Sequence, residues 1–339
     1  MSVREVPQVT FFHRKPRGNG NFSLEFIFDD VRTRLSDEIE ATVHVAPFFS
    51  NGLFRRLGIM LDARLHQGPV NHVTGDINFV AIGLSGRPTV LTLLDCGSIL
   101  DTHGWRRAAL RLFWFSLPMR SASIATTISD ASRQDLLELT NCSPDKICVV
   151  PIAISEKFRY RPKRFEKECP RILQIGTAPN KNVPRLVEAL RGQACKLAIL
   201  GPLSRELGAV LRENGIDFEH LQHLPLDDVV SEYEKADIVA FASTHEGFGM
   251  PIIEANAVGR PVICGNRASM PEVARDAACI VDPYDVDEIR AGIDRIISDD
   301  RYREVLVERG RENAKRFEPD EIARKYLDIY RRIANNRHA

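Results

Sequence analysis

The feature that most constrains this chain is a rhythm that plays twice. Short apolar runs rich in β-branched residues fall at positions 9–12, 42–45, 89–94 and 124–128 and alternate with stretches of helical periodicity. Such alternation predicts βαβ units around a parallel sheet. The rhythm breaks over 156–170, which is crowded with Lys, Arg, Glu and Pro, and restarts with runs at 171–176, 196–201, 238–242 and 261–264. The break reads as an interdomain linker. A length of 339 residues fits two domains of roughly 150 each. The expected plan is an α/β chain with a Rossmann-like domain over 1–155, the linker 156–170, and a second Rossmann-like domain over 171–318. The final amphipathic helix, 319–339, has no strand after it and is free to pack back on the first domain.

Composition removes several classes of function. Lys plus Arg and Asp plus Glu number 46 each, so no global field draws the chain to nucleic acid and any anion must be held locally. The seven cysteines, Cys96, Cys142, Cys148, Cys169, Cys195, Cys264 and Cys279, are scattered without a C-x-x-C spacing. They read as reduced thiols, not as a disulfide framework or a zinc site. The opening MSVREVPQVTFF lacks the apolar stretch of a signal peptide, and no run reaches the roughly 18 apolar residues of a membrane-spanning helix. A cytoplasmic location is the expectation. No G-x-G-x-x-G follows the first strand, which disfavours hydride transfer with a dinucleotide.

The chemistry concentrates at 241–263, where a buried strand runs into a glycine-bearing loop and then a helix. Pro251 suits the first turn of that helix and Gly259 its stop. Amides at the helix start, with the positive end of the macrodipole behind them, suit an anion or polar ligand oxygens. Two carboxylates bracket the start, Glu246 on the loop and Glu254 in the first turn, and each can accept hydrogen bonds from vicinal hydroxyls such as a sugar or ribose presents. Taken singly, each has an ordinary reading: a dipole-complementing Glu254 and a solvated Glu246. The order Glu246, Gly247, Phe248, Gly249, Met250, Pro251, Glu254 favours the functional one.

The block from Glu246 to Glu254, two glutamates eight positions apart, resembles the signature of family 4 of the nucleotide-sugar glycosyltransferases, the retaining, mannosyltransferase-like group with the GT-B fold. Similarity continues through 255–263, 270–273 and 280–283 and so covers most of the second half. The resemblance implies two Rossmann-like domains facing each other across a cleft. It implies that Glu246 holds hydroxyls of the donor sugar, that Glu254 holds the ribose, and that amides of Phe248, Gly249 and Met250 face the sugar and its phosphates. A second matching element runs from the strand end at Gly176 through Thr177 and Lys181 to Asn182; there the resemblance places Lys181 against the pyrophosphate, stabilising the departing nucleoside diphosphate. Many relatives add a nearby arginine, whereas this chain has Asn180. Leaving-group stabilisation therefore rests on Lys181, on the helix dipole, or on an arginine such as Arg14 or Arg17.

In the first half, the basic loop 13–23 carries Gly18 and Gly20 where the resemblance implies a glycine backbone close to the diphosphate; an exposed loop is the plain alternative. The strand end at 91–96 resembles one that often carries a His-Asp pair, but Leu94 takes the histidine's place and leaves Asp95 to orient the acceptor hydroxyl. His72 and His103 are candidates to stand nearby, with a satisfied structural histidine the leading account of each. Ser129 matches a serine-bearing turn and serves equally as an N-cap, and residues 151–154 depart from the Pro-Asn-Gly of many relatives. Residues 105–115 mix basic and aromatic side chains, including both tryptophans. One reading is contact with an anionic bilayer; the preferred one is a helix packing its aromatics into the core. Asp285-Val286-Asp287 reads as a helix start with a capping box through Glu288, so no metal is implied.

The expectation is therefore a hexosyltransferase, with Glu246, Lys181 and Asp95 as catalytic residues. It would take a hexose, mannose or a related sugar, from a GDP- or UDP-linked donor to a glycan or lipid-linked hydroxyl. No cofactor, no metal and no nucleic acid are involved, and a peripheral contact with the inner face of the membrane is an open reading. A nucleotide-sugar 2-epimerase and a non-catalytic donor-binding subunit are the rivals, the second kept alive by Leu94.

Overall fold

The computed structural model describes residues 6–16, 23–84, 86–94, 96, 99 and 102–335. Gly18, Gly20, Arg17 and Asp95 of the sequence reading lie outside the described residues. The chain divides into two compact units, one formed by residues up to Ala153 together with those from Pro319, the other by Ile154–Glu318.

The first unit holds β1 (Gln8–His13), β2 (Glu40–Val45), β3 (Val70–Val73), β4 (Thr89–Thr92), β5 (Ile124–Thr127) and β6 (Ile147–Val149), all parallel, in the order β2-β1-β3-β4-β5-β6. The second holds β7 (Arg171–Ile175), β8 (Lys196–Leu200), β9 (Asp217–Leu221), β10 (Ile238–Phe241), β11 (Val262–Gly265) and β12 (Cys279–Val281), also parallel, in the order β12-β11-β10-β7-β8-β9. Inner strands read as continuous apolar runs because helices cover both faces of a parallel sheet. All four residues of β10, Ile-Val-Ala-Phe, are fully buried. In the second unit Ile172, Leu197, Ile199 and Ile263 pack against Leu186, Val187, Ile289 and Ile293 from helices on one face.

The last helix, Pro319–Asn335, belongs to the first unit. Its face of Ile322, Tyr326, Leu327, Tyr330 and Ile333 packs with Phe11, Phe28, Val31 and Leu35. Ion pairs from Arg34 to Asp320 (2.6 Å) and from Arg331 to Glu38 (2.8 Å) flank that contact. His72 is enclosed there: Nδ1 is 2.8 Å from the Tyr330 hydroxyl and Nε2 2.7 Å from Thr92 Oγ1. Burial, with help from His13 and Arg32, drives its pKa well below the ordinary value and keeps the ring neutral. His72 is thus a satisfied core side chain, while His103 is exposed at the start of the helix Gly104–Leu110.

Two expectations are corrected. The segment 156–170 is not a free linker but part of the second unit. The Phe158 ring packs at 5.4 Å on Tyr233, Arg161 N donates to Val258 O (3.1 Å), and the buried Asp237 carboxylate takes Lys163 and the amides of Glu166 and Arg171. Its charges are matched by the unit beneath it, as in Lys157–Asp227 (2.6 Å) and Lys167–Asp300 (2.7 Å). The preferred core reading of 105–115 holds for only half of the aromatics. After Leu110 the helix widens into a π-helical stretch, Arg111–Ser116, which changes the side-chain period. Phe115 is fully buried and Trp114 packs at 5.5 Å on Phe79, whereas Trp105 and Phe113 are 77% and 57% exposed.

Candidate functional site

In the second unit the strand order reverses between β7 and β10. Ligands of doubly wound sheets bind outside the carboxyl ends of the strands at such a switch point. Both loops singled out by sequence leave the sheet there: β7 ends at Ile175 and β10 at Phe241.

After β7, Gly176 takes φ +82°, and a Cβ there would stand 3.0 Å from the Lys181 side chain that folds over it. Thr177 Oγ1 donates to Pro202 O. A 3-10 turn, Pro179–Lys181, leads to Asn182 in the left-handed region (φ 58°), whose Nδ2 donates to Ala242 O (3.0 Å) and Pro283 O (2.5 Å). Asn182 thereby ties the β7 loop to the ends of β10 and β12, and its side chain is committed to that task.

After β10, the loop bends back to meet the first one. Lys181 Nζ donates to Glu246 Oε1 at 2.6 Å, with both side chains more than four-fifths buried, and Asn180 Nδ2 donates to the same oxygen at 3.2 Å. Asn180 also grips the loop backbone, donating to His245 O (2.9 Å) and accepting from Thr244 N (2.8 Å). Glu246 Oε2 has no protein partner among the described residues. Lys181 sits 4.7 Å over the Phe241 ring, which supplies a low-dielectric floor. Ser269, fully buried, donates to Glu246 O (2.9 Å) and Phe248 O (2.7 Å) and fixes the loop from below.

The helix Met250–Val258 then begins at Gly249 (φ +111°) and ends at Gly259 (φ +83°). Its first-turn amides face away from the helix, where the macrodipole favours an anion. Phe248 is buried against Phe317 at 5.6 Å and holds the loop down. Glu254 Oε2 accepts from the Tyr233 hydroxyl at 2.5 Å. Burial raises the Glu254 pKa to about 7 despite the opposing Tyr233 hydrogen bond and the Lys181 charge. Glu254 Oε1, like Glu246 Oε2, has no protein partner among the described residues. Both carboxylates are therefore oriented by one oxygen. Two buried side-chain oxygens lacking a partner among the described residues, Gln174 Oε1 and Ser243 Oγ, mark the ends of β7 and β10.

The structure thus brings together Gly176, Thr177, Lys181, Asn182, Glu246, Gly247, Phe248, Gly249, Met250 and Glu254. Arg14 pairs with Asp76 in the first unit at 2.9 Å. Asp285 Oδ1 accepts from Glu288 N at 3.0 Å, as a helix cap does. Sequence reading missed three residues here. Asn180 registered only as a lost arginine, Ser269 stood one position before the matched Met270-Pro271, and nothing in the sequence signals Tyr233, whose partner is 21 positions away.

The fold, two parallel-sheet α/β Rossmann-like units, matches that of solved GT-B glycosyltransferases. Solved structures of similar fold include a Rickettsia africae glycosyltransferase (TM-score 0.73, 17% identity, 97% of this chain and 99% of that one). Another is Anabaena HepE in complex with UDP and glucose (TM-score 0.74, 17% identity, 95% and 98%). Residues 156–313 match the glycosyl transferases group 1 family. Over 235 residues the chain is 32% identical to O-antigen chain mannosyltransferase B of Escherichia coli, covering 62% of this chain and 61% of that one. Over 250 residues it is 29% identical to MMP alpha-(1->4)-mannosyltransferase of Mycolicibacterium hassiacum, covering 67% and 59%. The chain thus spans about three fifths of the length of these curated relatives.

Proposed function

We propose that this chain is a retaining hexosyltransferase of family 4 that moves a hexose, mannose foremost, from a GDP- or UDP-linked donor to a glycan or lipid-linked hydroxyl without a metal. The observation that carries the reading is the Lys181–Glu246 pair at the switch point, with Glu254 beyond the helix start and one unengaged oxygen on each carboxylate. Glu246 Oε2 accepts sugar hydroxyls and Glu254 Oε1 a ribose hydroxyl. Lys181 and the amides of Gly249 and Met250 face the diphosphate and stabilise the leaving group as the glycosidic bond breaks. The acceptor oxygen attacks from the leaving-group face, and the donor phosphate takes its proton, so the protein supplies position and electrostatics. The mannosyltransferase relatives support the sugar.

The reading extends to the acceptor's setting. On the first unit, the helix Leu53–Leu65 exposes Leu53, Phe54, Leu57, Leu61 and Leu65. Arg56 on that helix stacks at 5.0 Å on Trp114, which places the exposed Trp105 and Phe113 segment beside it. Arg106 stands 5.7 Å over the Trp105 ring, and Lys15 and Arg55 line a groove with Phe48 and Phe49. Apolar and cationic groups on one face suit the inner, anionic leaflet.

The test is a thermal-shift panel of UDP-, GDP- and ADP-linked sugars on the full chain, since ligand binding to the native state raises its apparent stability. A transfer assay with chelator present follows. A GDP- or UDP-sugar should shift the transition and be consumed only with acceptor. An epimeric product without acceptor, or loss of transfer on chelation, would overturn the assignment. Cosedimentation with anionic but not zwitterionic vesicles checks the membrane contact.

A further inference from the structure

Away from the donor loops, one group of metal-ligating side chains converges among the described residues. His44 lies on β2, the edge strand of the first unit's sheet. Asp62 and His66 lie four positions apart on the helix Leu53–Leu65 and at its C-cap, so they project from one side of it. His44 Nε2 is 2.5 Å from Asp62 Oδ2, and His66 Nδ1 is 3.5 Å from Asp62 Oδ1. One ligand atom from each residue falls within 4.8 Å of the other two. The two imidazoles stack with centroids 4.2 Å apart and planes 19° apart.

We propose that His44, Asp62 and His66 form a binding site for a late first-row divalent ion, zinc being the reference case. Two imidazole nitrogens and one carboxylate oxygen bind the ion, and water completes its shell. His44 meets the Asp62 carboxylate directly, while His66 reaches the Asp62 main-chain oxygen and lies 3.5 Å from the carboxylate, so all three stand within reach of one ion. A divalent ion would take one lone pair from each ring and offset the carboxylate charge. The spacing is also close to what is needed. Ligand atoms about 2.0–2.2 Å from a tetrahedral zinc stand roughly 3.3 Å from one another, and the present separations lie on either side of that figure.

Binding one ion requires the His66 ring to turn out of its stack on His44, because ring planes 19° apart do not aim both in-plane lone pairs at one point. His44 is braced by the Phe12 ring at 5.6 Å. The His66 side chain is 53% exposed and is held by a 2.8 Å contact from Nδ1 to the Asp62 main-chain oxygen, which a turn of the ring exchanges for the ion. The bound ion clips the edge strand to the helix that carries the exposed leucines. It would lie in the first unit, whereas Lys181 and Glu246 lie in the second.

The experiment uses the full chain stripped with chelator and titrated with zinc by calorimetry, then with cobalt by absorption. The expected result is one saturable ion per chain, a cobalt spectrum of nitrogen and oxygen ligation without thiolate charge transfer, and a metal-dependent rise in Tm. H44Q and H66Q should each weaken binding by at least about tenfold and abolish the rise. H66Q changes an exposed side chain and should leave the metal-free Tm unchanged, so a folding defect cannot mimic the loss. Absence of saturable binding, a thiolate-dominated cobalt spectrum, or wild-type affinity in both variants would overturn the proposal.

Discussion

At the scale of single residues, the proposed donor site is a balance of one cation between two carboxylates. Lys181 donates to Glu246 and also lowers the proton affinity of Glu254. Replacing Glu246 with Ala removes the hydroxyl acceptor but leaves the diphosphate contacts, so transfer should fall by more than about a hundredfold while nucleoside diphosphate affinity stays near wild type. Lys181→Ala removes a charge-assisted contact to the phosphates and should weaken nucleotide binding by roughly tenfold to a hundredfold and transfer with it. Single-turnover transfer and calorimetric titration separate the two, and wild-type turnover in either variant would end the assignment. Glu254 carries a different signature. Its pKa is raised from 4.5 to about 7 in the folded chain, so between those values the folded state holds a proton that the unfolded state has released. Stability from this group is fully present below about pH 4.5 and is lost as pH rises through about 7, by an amount of order 1–3 kcal/mol. Glu254→Gln should flatten that slope in denaturant titrations run from pH 4.5 to 8, and an unchanged slope would rule out Glu254 as its source.

At the scale of elements, the start of the helix Met250–Val258 is set by backbone geometry. Gly249 at φ +111° is in a region that side chains avoid, and a Cβ would meet Ile252 Cδ1 at 3.1 Å. Gly249→Ala should cost about 1–2 kcal/mol and weaken donor binding, because relieving the strain moves the first-turn amides; melting curves with and without nucleotide sugar measure both. This helix start was legible from Gly249, Pro251 and Gly259 because each residue type has one main use at its position. Glu246 and Lys181 were legible as candidates, but their mutual contact spans 65 positions and no local pattern encodes it. The π-helical turn at Arg111–Ser116 was equally hidden, and a reading that sent every aromatic of 105–115 into the core grouped Trp105 and Phe113 with the buried Phe115. The segment 156–170 misled for another reason: its charges look solvated in sequence, and only the fold supplies Asp227, Asp237 and Asp300 as their partners.

At the scale of the whole chain, the strand–helix alternation announced two parallel sheets but not their strand orders, which depend on crossovers that local pattern does not record. The attachment of the last helix was half visible: its amphipathic face showed that it must pack, but not that its partners are Phe11, Phe28 and Val31. Because that helix covers Phe11, Phe28 and Val31, a chain stopped at residue 318 should lose the cooperative transition of the first unit and keep that of the second. Hydrogen exchange read by mass spectrometry would report the two separately, and protection retained across β1 and β3 would contradict the packing. The same arrangement orders events on the ribosome. The second unit is encoded as an insertion within the first, so residues 154–318 can reach their native state while the earlier sheet waits, its aromatic face open, for a helix translated after them. Nascent chains paused anywhere before residue 319 are therefore the vulnerable species, and a chaperone holding that waiting sheet would matter more to yield than any aid given to the second unit.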